Sequence, residues 1–265
     1  MVVNIKEEDY FGIIFTGDWH LEHLWADTVQ LAEDLDKIAS TPHLYVVHLG
    51  DGGDWHNIIT PAHKGGEYET MFPPRLTREV LNYLFDLIRD KLIATCAGNH
   101  DNWIRNQVDI DVIQEKMKEL DVAYLGTGGI LRLNIGTQLV PTRQIKCLMY
   151  HQLPGSSMYN KLHSLMRAVR MEGFDGELLV SGHGHELCDG HELFNGLNKY
   201  YIKTGTYLHR SRWAQNRGYM PSTIGCCPWL VIHPQQDNYI RGTGIDEAVT
   251  LLKRLRLKGE DFGMF

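Results

Sequence analysis

The stretch SGHGHE, residues 181–186, ends the apolar run ELLV with two histidines separated by one glycine. Alternate residues of a strand share a face, so His183 and His185 point to one side if the strand continues, and the glycine lets the backbone bend between them. Two imidazoles facing one space are metal-ligand chemistry. Other apolar runs end in comparable clusters: Asp18 and His20 in GDWH, Asp51 and Asp54 in GDGGD, Asn99, His100 and Asp101 in GNHD, and His151 in MYHQ. Carboxylates and imidazoles suit Zn, Fe or Mn, and Asp51 can bridge two ions. The same residue types also have plain structural uses. Asp18, Asp51 and Asp101 can cap helices or turns, Asn99 can sit in a tight turn, and Asp54 and His151 can be structural.

These residues need elements that deliver them to one place. The runs GIIFT, LYVVHLG, LIATCAG, CLMYH and LLVSG read as buried strands running into loops that gather along a sheet edge. Between them, 23–40 and 76–90 carry apolar residues near a 3.6-residue period, including Leu24, Val29, Leu31, Leu35 and Ile38 in the first. Further helices are expected over 111–120, 156–171 and 244–258. Strands alternating with helices give an α/β domain. The segments ILRLNIGTQ, RQIKCLMYH, HELFNG, KYYIKTGTY and PWLVIHP suggest a second, more antiparallel sheet packed on the first. With no repeat, low-complexity stretch or linker, residues 1–265 read as a single domain.

Composition narrows the function classes. Hydrophobic residues make up 43% and charged residues 22%, ordinary for a globular protein. No stretch approaches the roughly eighteen apolar residues of a membrane span, and the acidic start MVVNIKEEDYFG lacks the pattern of a signal peptide. A cytoplasmic location and no membrane partner are expected. The five cysteines are scattered without C-x-x-C spacing, so neither a disulfide framework nor a thiolate zinc site is expected. A net charge of −7 argues against coating long nucleic acids by charge alone, though a local basic patch is compatible with it.

The ordered series D-x-H, G-D-x-x-D, G-N-H-D, H and G-H-x-H, spanning residues 16–186, resembles the calcineurin-like metallophosphoesterase superfamily, with every signature position filled. The resemblance implies a four-layer α/β/β/α sandwich with two mixed sheets and a metal site on loops at strand ends. It also implies two divalent ions, Mn foremost with Fe or Zn as alternatives. Asp18, His20 and His185 would hold one ion, Asn99, His151 and His183 the other, and Asp51 would bridge them. Two such ions ~3.5–4 Å apart can hold a hydroxide and clamp phosphate oxygens during in-line displacement. His100 is the expected proton donor, its ring oriented by Asp54 or Asp101.

The superfamily covers several phosphoester chemistries, and a shared fold does not transmit a substrate. Phosphoprotein phosphatases usually place arginine after the second motif and show G-N-H-E; this chain has GDGGDWH and GNHDNWIR. GNHD is similar to the phosphodiesterase and DNA-repair nuclease branches. The expected reaction is therefore hydrolysis of a phosphodiester in nucleotides or nucleic acid, DNA and cyclic nucleotides included. A phosphomonoesterase and a non-catalytic metal-binding scaffold are the alternatives. Two segments are candidates for base or substrate contact: 55–75, with Trp55, His56, Tyr68 and Phe72, and 207–219, with Arg210, Arg212, Trp213, Arg217 and Tyr219. A protein partner is left open; the chain has no coiled-coil heptads of its own.

Overall fold

The computed structural model describes residues 1–55, 70–137, 139–216, 218, 220 and 227–262. The chain opens with β1 (Val2–Ile5) and β2 (Phe11–Thr16), then α1 (Thr28–Ser40), β3 (Leu44–His48), α2 (Pro74–Leu87) and β4 (Leu92–Thr95). Helices α3 (Asn99–Val108) and α4 (Val112–Leu120) lead to β5 (Ala123–Tyr124), β6 (Gly128–Ile135) and β7 (Arg143–Tyr150). Then come α5 (His163–Arg170), β8 (Leu178–Ser181), β9 (Cys188–Phe194), β10 (Leu197–Lys203) and the single turn α6 (Arg212–Gln215). The described chain closes with β11 (Trp229–Ile232), β12 (Ile240–Gly242) and α7 (Ile245–Phe262).

Two six-stranded sheets result, with orders β12-β11-β2-β3-β4-β5 and β1-β6-β7-β8-β10-β9. Both are mixed. β2, β3, β4 and β5 run parallel, as do β7, β8 and β10, while β11 pairs antiparallel with β2 and β9 with β10. Alternation along each strand builds the layers. Phe11, Ile13 and Phe15 of β2, Leu230 and Ile232 of β11, Leu178 and Val180 of β8 and Ile202 of β10 meet in a core between the sheets. Their neighbours Ile14, Trp229 and Val231 face the opposite way, packing with Leu31, Leu35 and Ile38 of α1, Leu81 and Phe85 of α2, and Leu252 of α7. On the far side Leu148, Leu179 and Tyr201 pack against Leu165 and Val169 of α5. The architecture is the four-layer α/β/β/α sandwich, and strands covered on both faces explain why they read as continuous apolar runs.

Several boundaries differ from the periodicity. α1 begins at Thr28, not at residue 23, because Asp27 caps it by accepting from Gln30 N at 2.9 Å. Leu24 and Val29, counted as core, are 52% and 68% exposed. The segment expected to be helical from 156 is a turn up to α5, where Ser157 Oγ accepts from the amides of Tyr159 and Asn160. PWLVI was expected in the second sheet and instead extends the first, as β11. The motif loops likewise leave two sheets: those after β2, β3 and β4 from one, those after β7 and β8 from the other.

Candidate metal centre

The loops that carry the motif residues are held in a backbone conformation that side chains resist. Asp18, His20, Asp51, Trp55, His183 and His185 all have positive φ, between 50° and 64°. For residues other than glycine this costs on the order of 1–3 kcal/mol each and persists only where surrounding bonds over-determine it. They do so here. Asp18 N donates to Gly50 O, Trp19 N and His20 N both donate to Asp51 O, and Leu21 N donates to Gly52 O, zipping the loop after β2 along the loop after β3. From the other sheet, His183 N donates to Asp18 Oδ2 at 2.9 Å and Thr206 Oγ1 donates to Asp18 O at 2.9 Å.

The loops after β3 and β4 touch through glycine. A Cβ on Gly50 would lie 2.3 Å from Gly98 N, and one on Gly98 would lie 1.8 Å from Asp51 Oδ1. This approach lets Asp51 Oδ1 accept from His100 N at 2.9 Å across the first turn of α3.

Three groups of donor atoms emerge; two hold the expected metal ligands and the third is His20, Asp54 and His100. In the first, His185 Nε2 lies 3.3 Å from Asp18 Oδ1 and 3.1 Å from His20 Nε2. In the second, His151 Nε2 lies 3.1 Å from Asp51 Oδ2 and 3.0 Å from Asn99 Oδ1. The Asn99 oxygen position is also 2.7 Å from His183 Nδ1 and 3.2 Å from Asp51 Oδ2. Among the described residues, Asp18–His20–His185 and Asp51–His151–His183 are groups whose ligand atoms lie within 4.8 Å of one another.

These residues fit a cation. Asp18 Oδ1 is buried without a well-formed hydrogen bond, and only the rings of His185 at 3.3 Å and His20 at 4.0 Å face it, an arrangement that is expensive without a positive charge beside it. At Asn99, turning the amide would satisfy hydrogen bonding, yet oxygen, carboxylate and ring nitrogens converging on one point is what a coordination shell requires. The tautomers agree. His151 Nδ1 lies 2.7 Å from Leu49 O, which only accepts, so that nitrogen carries a proton and Nε2 is the one turned to the group. His20 Nδ1 pairs with the Asp54 carboxylate, leaving His20 Nε2 to the group.

The charge balance points the same way. Burial disfavours a charged His151, but Asp51 and Asp18 outweigh it and push its pKa up to about 9. His100 is pushed up to about 10, burial again opposing and Asp51 and Asp54 prevailing. Burial, reinforced by the His151 charge, holds His183 down to about 4. The carboxylates demand positive charge, and the rings take up protons to supply it.

Behind the two groups, Asp54 Oδ1 meets both His20 Nδ1 and His100 Nδ1, the latter at 3.1 Å. His100 Nδ1 also faces Asp54 O at 3.0 Å, so Nδ1 holds a proton and Nε2 is the ring nitrogen on the side away from Asp54. Its ring packs against Trp103 at a tilt of 43°, centroids 3.9 Å apart. Asp101, the other residue expected to orient His100, is directed elsewhere. Its carboxylate accepts from Asp51 N, Gly98 N and Trp55 Nε1, each at 2.8 Å, and so braces the loops. Trp55, a candidate for base contact, is 2% exposed and serves as that brace. His56, Tyr68, Arg217 and Tyr219 lie outside the described residues. Sequence reasoning missed Glu22, a buried carboxylate that accepts from Asp54 N at 3.0 Å and from Trp55 N. An acid inside the apolar-aromatic run WHLEHLW was the available signal.

Residues 11–187 match the family model described as calcineurin-like phosphoesterase. The chain belongs to the calcineurin-like phosphoesterase family. Metal-dependent phosphoester hydrolysis is the activity of this metallophosphoesterase. No curated protein matches it. Among solved structures, a single-site variant of Vps29 from Entamoeba histolytica aligns at 15% identity and TM-score 0.39, covering 88% of this chain and 99% of that one. The Thermotoga maritima protein TM1076 aligns at 12% identity and TM-score 0.36, with the same coverage of 88% and 99%. Among the described residues no helix is long and apolar enough to cross a membrane.

The glycine contact yields a test. Gly98→Ala should displace Asp51, and a misplacement of about 1 Å at a reacting site costs on the order of 100-fold in rate. Metal content by elemental analysis and phosphoesterase activity should fall together while the circular dichroism spectrum is kept. A folded Gly98→Ala protein with full metal content and activity contradicts the assignment.

Proposed function

We propose that the chain is a binuclear metal-dependent phosphodiesterase acting on nucleotides or nucleic acid, a nuclease being the narrower reading. In this reading Asp18, His20 and His185 hold one divalent ion, Asn99, His151 and His183 hold a second, and Asp51 bridges them. Manganese is the favoured ion; iron or zinc also suits the donor set. When bound, the ions supply Lewis acidity toward the phosphate oxygens and a hydroxide nucleophile at neutral pH.

The observation that carries the diester reading is the nature of position 55 and of the carboxylate partners. Where the phosphoprotein phosphatase branch places an arginine, this chain has Trp55, buried and bonded to Asp101. The partners of the Asp18 and Asp51 carboxylates are imidazoles and backbone amides, none of them lysine or arginine among the described residues. A monoester enters as a dianion and is served by forked arginine contacts; a diester carries one charge and needs fewer fixed cations.

The chain's own residues complete the chemistry. His100 Nε2 donates a proton to the leaving alkoxide, with Asp54 fixing the opposite nitrogen and the ring plane. Asp54 also fixes the His20 ring, so one carboxylate orients a metal ligand and the proton donor together. Glu22 holds the 54–55 backbone that positions this carboxylate.

Hydrolysis of bis-p-nitrophenyl phosphate against p-nitrophenyl phosphate, after metal stripping and addition of Mn²⁺, tests the diester reading. The diester should be cleaved faster. A preference for the monoester would establish the phosphatase alternative, and metal uptake without turnover of either would favour the scaffold. His100→Ala should retain its metals yet lose ~10²–10⁴-fold in rate on substrates with poor leaving groups, with a much smaller loss on p-nitrophenyl esters. Equal losses on both would remove His100 as the proton donor.

A further inference from the structure

Two short segments leave the metal centre side by side and end in an exposed pair, Trp25 and Arg210. The first starts at His23, whose Nε2 lies 3.9 Å from Asp54 Oδ2 and whose Nδ1 accepts from Trp25 N at 3.1 Å. The second starts at Thr206, which donates to Asp18 O and accepts from Leu208 N at 2.9 Å. The segments are joined by the Ala26–Leu208 bridge and by His209 N donating to Trp25 O at 3.0 Å. The Thr206 hydroxyl, Tyr207 N donating to Asp18 O, and the His23 ring therefore tie the pair to Asp18 and to the neighbourhood of Asp54.

The Arg210 guanidinium lies 4.2 Å over the centre of the Trp25 ring. Trp25 is nonetheless 39% exposed, unusual for an indole with no core to fill. Arg210 is exposed and has no carboxylate partner among the described residues. A guanidinium lying over an indole presents an apolar-faced cation with N–H donors at its edge, a combination suited to stacking a planar heterocycle and hydrogen-bonding its rim.

We infer that Trp25 and Arg210 form a platform for the nucleobase of a nucleotide phosphoester whose phosphate sits at the metal centre. The inference rests on the nucleotide part of the proposed function and names the residues that select for it. Neither residue takes part in the chemical step; their effect is on affinity for the base-bearing substrate.

The test compares two non-hydrolysable ligands on the Mn²⁺-loaded protein by calorimetry. These are the 5′-phosphonate analogues of AMP and of ribose 5-phosphate, in which a P–C bond replaces the scissile P–O bond. The adenosine compound should bind about tenfold or more tightly than the sugar compound, the scale of one base stacked on an aromatic side chain. Trp25→Ala and Arg210→Ala should each erase most of that preference and leave the sugar phosphonate's Kd unchanged, and Trp25→Phe should keep part of it. Equal affinities in the wild type, undetectable binding of both ligands, or a preference that survives both alanine variants overturns the platform. This binding readout is independent of the diester reading: a base preference in a protein that cleaves monoesters faster leaves the platform standing and removes the diesterase.

Discussion

Asp51 is a junction on which the loops of the site converge. Its amide donates to Asp101, its carbonyl accepts from Trp19 and His20, one carboxylate oxygen accepts from His100, and the other faces His151 and Asn99. Three separate segments thus meet on one buried residue of left-handed backbone. The arrangement depends on Gly98, because any side chain there would occupy the space of the Asp51 carboxylate. Both sheets are committed to the same point, since His151 and His183 arrive from the second sheet while Asp51 and Asn99 belong to the first. The four-layer sandwich is the scaffold that brings those two sheet edges together.

What this meeting creates is a concentration of buried negative charge. The Asp18, Asp51 and Asp54 carboxylates are buried, and each keeps its pKa below the ordinary range although burial alone would raise it. Imidazoles supply the opposing charge, which is why His20, His100 and His151 are shifted upward against their own burial. Burial first, and then repulsion from the His151 ring about 5 Å away, lowers the His183 pKa. Divalent ions in the same places would relieve both the carboxylate excess and that repulsion. The strained backbone, the unsatisfied Asp18 oxygen and the converging atoms around Asn99 have a common explanation in metal binding.

Much of this was legible in the chain. The metal-ligand candidates could be read because each follows a strand too apolar to end in polar residues by packing alone, and their order along the sequence matched a family pattern. The two-sheet architecture followed from that pattern, not from periodicity, which cannot tell which sheet a buried strand joins; β11 shows the difference. The N-terminus of α1 was misplaced because Leu24 and Val29 keep helical spacing without being buried, and the Asp27 cap decides the start. Asp101 and Trp55 looked like functional residues because they adjoin the motifs. Their role as a mutual brace depends on contacts between loops distant in sequence, as does the role of Glu22, which spacing alone does not reveal.

In the proposed site this crowded cluster of acids and imidazoles holds two ions. Calorimetric titration of the metal-stripped wild-type protein with Mn²⁺ tests it most directly. Two ions bound per chain is the predicted result; saturation at one ion, or no binding, would contradict it.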